Sequence, residues 1–211
     1  MQPHEIEALS FKIIDAEVGD HGFPADQWQV VRRVIHTTAD FDWQTMIRLH
    51  PQAIAGGVAA IRRGCTIVTD THMARTGIRR RDLKRFGAAV NCYMTDERVL
   101  ETAARVHSTR ARAAVDVAAP EITGGIFVVG NAPTALLRLI ELIEEGTADP
   151  ALVVGLPVGF VNAAESKARL MECDVPYITN VGRKGGSNVA AAVVNALVIL
   201  AGSESIQPSA L

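Results

Sequence analysis

Cysteine is scarce in this chain. Cys65, Cys92 and Cys173 are the only three, odd in number and widely spaced, with no CxxC pair or Cys–His spacing. A disulfide framework and a zinc site are therefore not expected, and reduced thiols in a cytoplasmic core are. Lysine is also rare: Lys12, Lys84, Lys167 and Lys184 are the only ones, and the remaining basic residues are arginines. Charge of one sign is lacking too. The net charge is -2 and the pI about 6.3, which argues against a general nucleic-acid binder. No apolar run reaches the ~20 residues that span a bilayer. The greasiest stretch, 189–201, is shorter and carries Asn195, so a buried helix is expected there and no membrane partner. No charged leader with an apolar core opens the chain, in keeping with a cytoplasmic protein.

Several motifs are missing as well. There is no GxGxxG and no GxxxxGK[ST], which removes the usual nucleotide cradles. No HExxH is present, and no GxSxG elbow. Repeats, low-complexity tracts and linkers are absent, so residues 1–211 are expected to form a single domain.

The chain does have a clear change of rhythm. Residues 4–18 place Ile6, Leu9, Ile13 and Ile14 at helical spacing. Pro24 and Asp26 open a second helix, Asp42 is positioned to cap a third, and a fourth begins near Pro51 and ends about Gly64. Five short β-rich runs follow, at 65–69, 88–94, 126–129, 152–156 and 177–179. Helical segments stand between and after them: 82–86, 96–106, 109–118, 133–145, 163–173 and 187–200. This alternation, with nearly continuous apolar strands, predicts an α/β fold. A mostly parallel, Rossmann-like sheet of about five strands is flanked by helices and preceded by a helical N-terminal part.

In such a sheet the loops after the strands gather at the carboxyl edge, where ligands bind. Here they read TDTHMARTG, TDERV, GNAPT, PVGFVNAAES and NVGRKGGSN. They are rich in Gly, Asn, Ser and Thr and run into helix N-termini, which favour anionic groups. Arg183 and Lys184 lie among glycines and suit carboxylates. The denser basic cluster, Arg79, Arg80, Arg81, Lys84 and Arg85, has no aromatic residues interleaved and is expected to be a solvated face. His36 ends an apolar helical stripe beside Thr37 and Thr38, a setting open both to a structural histidine and to a general acid or base.

Five segments taken together resemble the signature blocks of the precorrin-8 methylmutase family of cobalamin biosynthesis: RVIHTTADFD (33–42), TDTHM (69–73), GNAPTAL (130–136), PVGFVNAAESK (157–167) and GRKGGSN (182–188). The resemblance runs in order from about Ile6 to Leu200. It implies an isomerase that moves a methyl group from carbon eleven to carbon twelve of precorrin-8X or cobalt-precorrin-8, giving hydrogenobyrinate or cobyrinate, with the cobalt form favoured. It implies a cytoplasmic homodimer with the site at the subunit interface, a small-molecule tetrapyrrole as substrate and no cofactor, any cobalt being carried by the substrate. Residue by residue, it makes His36 the proton-transferring histidine and Ser10 and Arg110 substrate contacts. Arg183 and Lys184 match carboxylate contacts by motif, and Val158, Phe160 and Val161 are placed to line the ring. The chain departs from the pattern at Arg112–Ala113 and at Asn162, where the family often has Gly. The rival from another class is a carrier that binds a tetrapyrrole without changing it.

Overall fold

The computed structural model describes residues 2–203. The helical N-terminal part is α1 (Pro3–Val18), α2 (Ala25–Thr38), α3 (Trp43–Met46) and, after the strand β1 (Ile47–Leu49), α4 (Ala53–Arg62). The alternating part follows: β2 (Thr66–Thr69), α5 (His72–Gly77), α6 (Arg80–Leu83), β3 (Ala89–Asn91), α7 (Glu97–Arg105), α8 (Arg110–Ile122), β4 (Ile126–Val129), α9 (Pro133–Glu144), β5 (Leu152–Gly155), α10 (Ala163–Leu170), β6 (Tyr177–Asn180) and α11 (Ser187–Gly202).

One six-stranded sheet results, in the order β1-β6-β5-β4-β2-β3. The five expected strands are mutually parallel, and their order is that of the flavodoxin-like variety of doubly wound fold. The sixth strand, β1, was not expected. It pairs antiparallel with β6, Ile47 opposite Asn180. Three residues around Arg48 are too few to display a period of two, so only tertiary pairing defines this strand. A second omission is α5, whose residues looked like loop. Thr71 makes the turn helical by accepting the Ala74 N–H on its hydroxyl at 3.1 Å. Both strands at the sheet edges, β1 and β3, are three residues long.

Side chains alternate between two cores, as the pleat requires. Ile67, Ile126, Val128, Leu152 and Val154 meet α1, α2, α4 and α11 on one face. Val68, Phe127, Val129 and Val153 meet α8, α9 and α10 on the other. The greasy stretch is the body of α11, buried nearly all round because it lies between the sheet and α2. Its one polar residue, Asn195, holds the turn after α5, accepting the Arg79 N–H and donating to the Gly77 carbonyl. All three cysteines are free thiols, and burial pushes Cys65 up to about 11.

Candidate active site

In a doubly wound sheet the usual ligand crevice opens where the strand order reverses, here between the ends of β2 and β4. In this chain that crevice is filled from within. Asp70, 3% exposed at the end of β2, accepts the backbone N–H groups of Gly130, Asn131 and Ala132, each at 2.8 Å. Burial pushes its carboxyl up and the three N–H groups oppose that. Only donors face it, so the ionised form is the one that fits. Loop 130–134, one of the loops expected to favour an anionic group, is therefore already occupied by a carboxyl side chain of the protein itself. Thr71 and Ser187 join hydroxyls above it at 2.8 Å. Gly130 lies so close to α11 that a Cβ there would stand 2.6 Å from the Ser187 Cα.

Open space lies to one side, where α1 and α2 meet. His36 occupies the last turn of α2, whose inward residues Trp28, Val31, Val34 and Ile35 anchor the helix and leave the imidazole outward. The helix stops at Ala39, which adopts a left-handed conformation (φ 51) and donates its N–H to the Ile35 carbonyl. Phe11 of α1 stands edge-on to the imidazole, 5.2 Å between ring centres, and is itself covered by Arg32 and Arg33. His36 and Ser10 line one cavity of about 330 Å3, together with Ile13, Ile35, Ala39 and Phe41. On its other side His36 borders a second cavity of about 220 Å3, against Arg33, Gly77, Asn188 and Asn195. A larger cavity of about 440 Å3, between the ends of α9 and α10, lies at the opposite edge of the sheet and holds no candidate residue.

The remaining candidates are distributed around the carboxyl edge. Ser10 faces the His36 cavity from α1 while its hydroxyl donates to the Ile6 carbonyl. Lys184 is engaged within the chain: its ammonium donates to Asp40 at 2.6 Å and Asp42 at 2.8 Å. Those bonds raise its pKa and lower that of Asp40. They also explain why Asp42, at the N-cap of α3, does not cap that helix with its side chain. Arg183 extends over the Phe160 ring at 5.6 Å and has no carboxylate partner among the described residues. Phe160 and Val161 are 85% and 77% exposed, an apolar rim beside that cation. Arg110 is the first residue of α8, exposed and likewise free of carboxylates among the described residues. It belongs to the opposite face of the sheet and lines neither cavity at His36.

Two residues of this edge escaped the sequence reading. Asp70 finds its partners sixty residues away, beyond any local pattern. Lys167 is fully buried, and a signal for it exists: α10 buries Ala163, Ser166, Lys167 and Leu170, so the lysine stands at a core position of the helical period. Asn162, which precedes α10, has φ 60; Gly and Asn are the residue types that take this conformation most readily, so its replacement of Gly is conservative. No group of three His, Cys, Asp or Glu side chains suited to a metal occurs among the described residues.

A profile of the precorrin-8X methylmutase family matches residues 5–200. The cobalt-precorrin-8 methylmutase of Priestia megaterium is 49% identical over 203 residues, covering 96% of this chain and 90% of that protein. The precorrin-8X methylmutase of Pseudomonas aeruginosa is 40% identical over 190 residues, covering 89% and 91%. The crystal structure of precorrin-8x methyl mutase from Thermus thermophilus superposes with a TM-score of 0.90 at 44% identity, covering 98% of this chain and all of that one.

Proposed function

The chain belongs to the precorrin-8X methylmutase family and is an isomerase of corrin-ring biosynthesis, and we propose that His36 is its proton-transferring residue and cobalt-precorrin-8 its preferred substrate. The reaction carries a methyl group from carbon eleven to carbon twelve of the macrocycle. Substrate and product are isomers, so no methyl donor or redox partner is consumed, and we assign no cofactor; cobalt enters with the substrate.

The observation that carries the reading is the pairing of His36 with Ser10 in one cavity, at an edge that offers an apolar rim and Arg183. A flat ring with acid side chains needs both. His36 has no hydrogen-bond partner among the described residues, so both ring nitrogens are open to a ligand. It donates a proton to the macrocycle or shares one with a ring nitrogen, drawing electron density from the migrating centre. The methyl group then shifts with its bonding pair to the neighbouring carbon in one concerted step, and the proton returns to the imidazole. A positioned general acid contributes about 10²–10⁴-fold, and orientation of one ring conformation supplies the rest. Ser10 and Arg183 contact the substrate. Lys184 already gives hydrogen bonds to two aspartates, and its remaining N–H is available for a substrate carboxylate, so Arg183 carries the larger share.

We further assign a homodimer. Two cavities of about 330 and 220 Å3 are small and open for a substituted tetrapyrrole, and a second copy supplies the missing wall. Ile6, Leu9 and Ile13 form an exposed apolar stripe on α1 next to the Ser10–His36 cavity. Arg110, remote from His36 within one chain, joins the substrate through that assembly. Free thiols and a biosynthetic family support a cytoplasmic setting.

The experiment is a paired incubation with precorrin-8X and cobalt-precorrin-8, followed by chromatography of the extracted pigment. An enzyme yields a separable isomer of unchanged mass, faster from the cobalt form. A carrier returns its ligand unaltered, and equal or better turnover of the metal-free form would overturn the cobalt preference.

A further inference from the structure

Lys167 is 0% exposed. Its ammonium donates to the Asn180 Oδ1 at 3.0 Å and to the backbone carbonyl of Lys184 at 2.7 Å. Asn180 reinforces the arrangement by donating to the same Lys184 carbonyl and to that of Val181. Both acceptors are uncharged, and among the described residues no carboxylate pairs with Lys167. Among the described residues, none of the charged groups on the packed elements pairs with Lys167; on α9, Arg138 and Glu141 pair with each other. On α10 itself Glu165 is exposed, and Arg169 pairs with Glu144 of α9. In the loop after β6, Arg183 covers Phe160, and Lys184 is held by Asp40 and Asp42 from the segment after α2.

A tether for this loop needs no charge, since an amide oxygen and a peptide carbonyl are satisfied by neutral donors. A cation sealed in the interior without a counter-ion is costly, and that cost pushes the Lys167 ammonium down to about 8, with desolvation as the sole cause. The ammonium holds the Lys184 carbonyl from the buried side of loop 182–187, so its charge acts across one layer of backbone on a ligand docked at the outer face. We propose that Lys167 is a buried electrostatic anchor for the substrate, its counter-charge being carboxylate groups of the ligand docked on loop 182–187. The proposal rests on the methylmutase reading, which supplies a ligand rich in carboxylates.

The consequence is a proton linkage. Ligand carboxylates above the loop favour the charged ammonium, so binding raises the midpoint of Lys167. The complex then takes up a proton where the free protein has lost one. Affinity is level well below pH 8 and falls as pH rises through the free midpoint, by up to tenfold per pH unit, until the raised midpoint is reached.

The chain has four lysines, which makes lysine-labelled NMR a direct test. Side-chain signals are followed from pH 6.5 to 10 in the whole protein, alone and saturated with cobyrinate. The expected result is one signal titrating near pH 8, absent in Lys167→Met, whose midpoint rises by a unit or more with ligand. Lys167→Met should also bind cobyrinate at least tenfold more weakly at pH 7 and lose the bend in affinity near pH 8. The wild-type titration decides the matter even if the variant does not fold. If the Lys184 signal responds to cobyrinate while the Lys167 midpoint stays fixed, the anchor is overturned and the methylmutase reading stands. If no signal responds and no binding occurs, both fall.

Discussion

His36 borders two cavities and stands edge-on to Phe11, so its replacement separates chemistry from packing. His36→Ala removes the imidazole and enlarges the pocket. His36→Asn keeps a hydrogen-bonding group but has no useful proton to transfer near neutral pH. Both variants are expected to lose about 10²–10⁴-fold in the bound-state rate while still binding product. Single-turnover measurement checks this, and full activity in His36→Asn would remove the proton-transfer role. At this scale the sequence offers candidates where residue types cluster locally. His36, Arg183 and Lys184 stand in compact blocks whose types and spacing are readable, whereas Ser10 was named through the resemblance alone. The sequence was silent where a side chain's meaning depends on a distant partner. The Asp40–Lys184 contact spans 144 positions, and nothing near Lys184 reveals that its charge is already engaged.

The helices α8 and α9 are joined by a charged clasp rather than by apolar contact alone. Arg112 and Arg138 both donate to Glu141, and Arg138 also reaches Asp116. The Arg112 guanidinium, with Arg138 behind it, holds the Glu141 carboxyl down to about 2. An unfolded glutamate titrates near ~4.3. Its contribution to stability is therefore complete above that value and lost as pH falls toward 2. Glu141→Gln should flatten the acid limb of a stability–pH profile between about pH 4.5 and 2 and leave its slope near neutrality unchanged, as read by urea unfolding. Another element-level junction is the approach of loop 130–134 to α11. Gly130→Ala forces a Cβ against the Ser187 backbone and is expected to destabilise by about 1–3 kcal/mol, measurable in the same way. Elements with a strong period were legible: β2, β4, β5 and β6 as β-branched runs, and α2 and α9 as apolar stripes. The strand β1 and the helix α5 were not, because three and six residues hold too little pattern and owe their form to β6 and to the Thr71 cap.

For the whole molecule, the assigned dimer predicts a species near twice 22.6 kDa in sedimentation at micromolar concentration. Replacing Leu9 and Ile13 with Glu on the exposed face of α1 should shift it to the monomer and cut turnover, while wild type sedimenting as a monomer would sink the assignment. How two copies can meet is restricted by the sheet itself. Its borders are β1 and β3, each three residues long, and a neighbour pairing there would gain only a stub of ladder. Growth of the sheet from one molecule into the next is thus poorly rewarded. Assemblies of this chain are better built from side-chain surfaces, and the proposed dimer, if the same surface is used by both copies, closes at two. Backbone edges accept any passing strand and propagate, and their brevity here spares a concentrated solution of this protein the end-to-end stacking by which longer open borders seed fibrous precipitates.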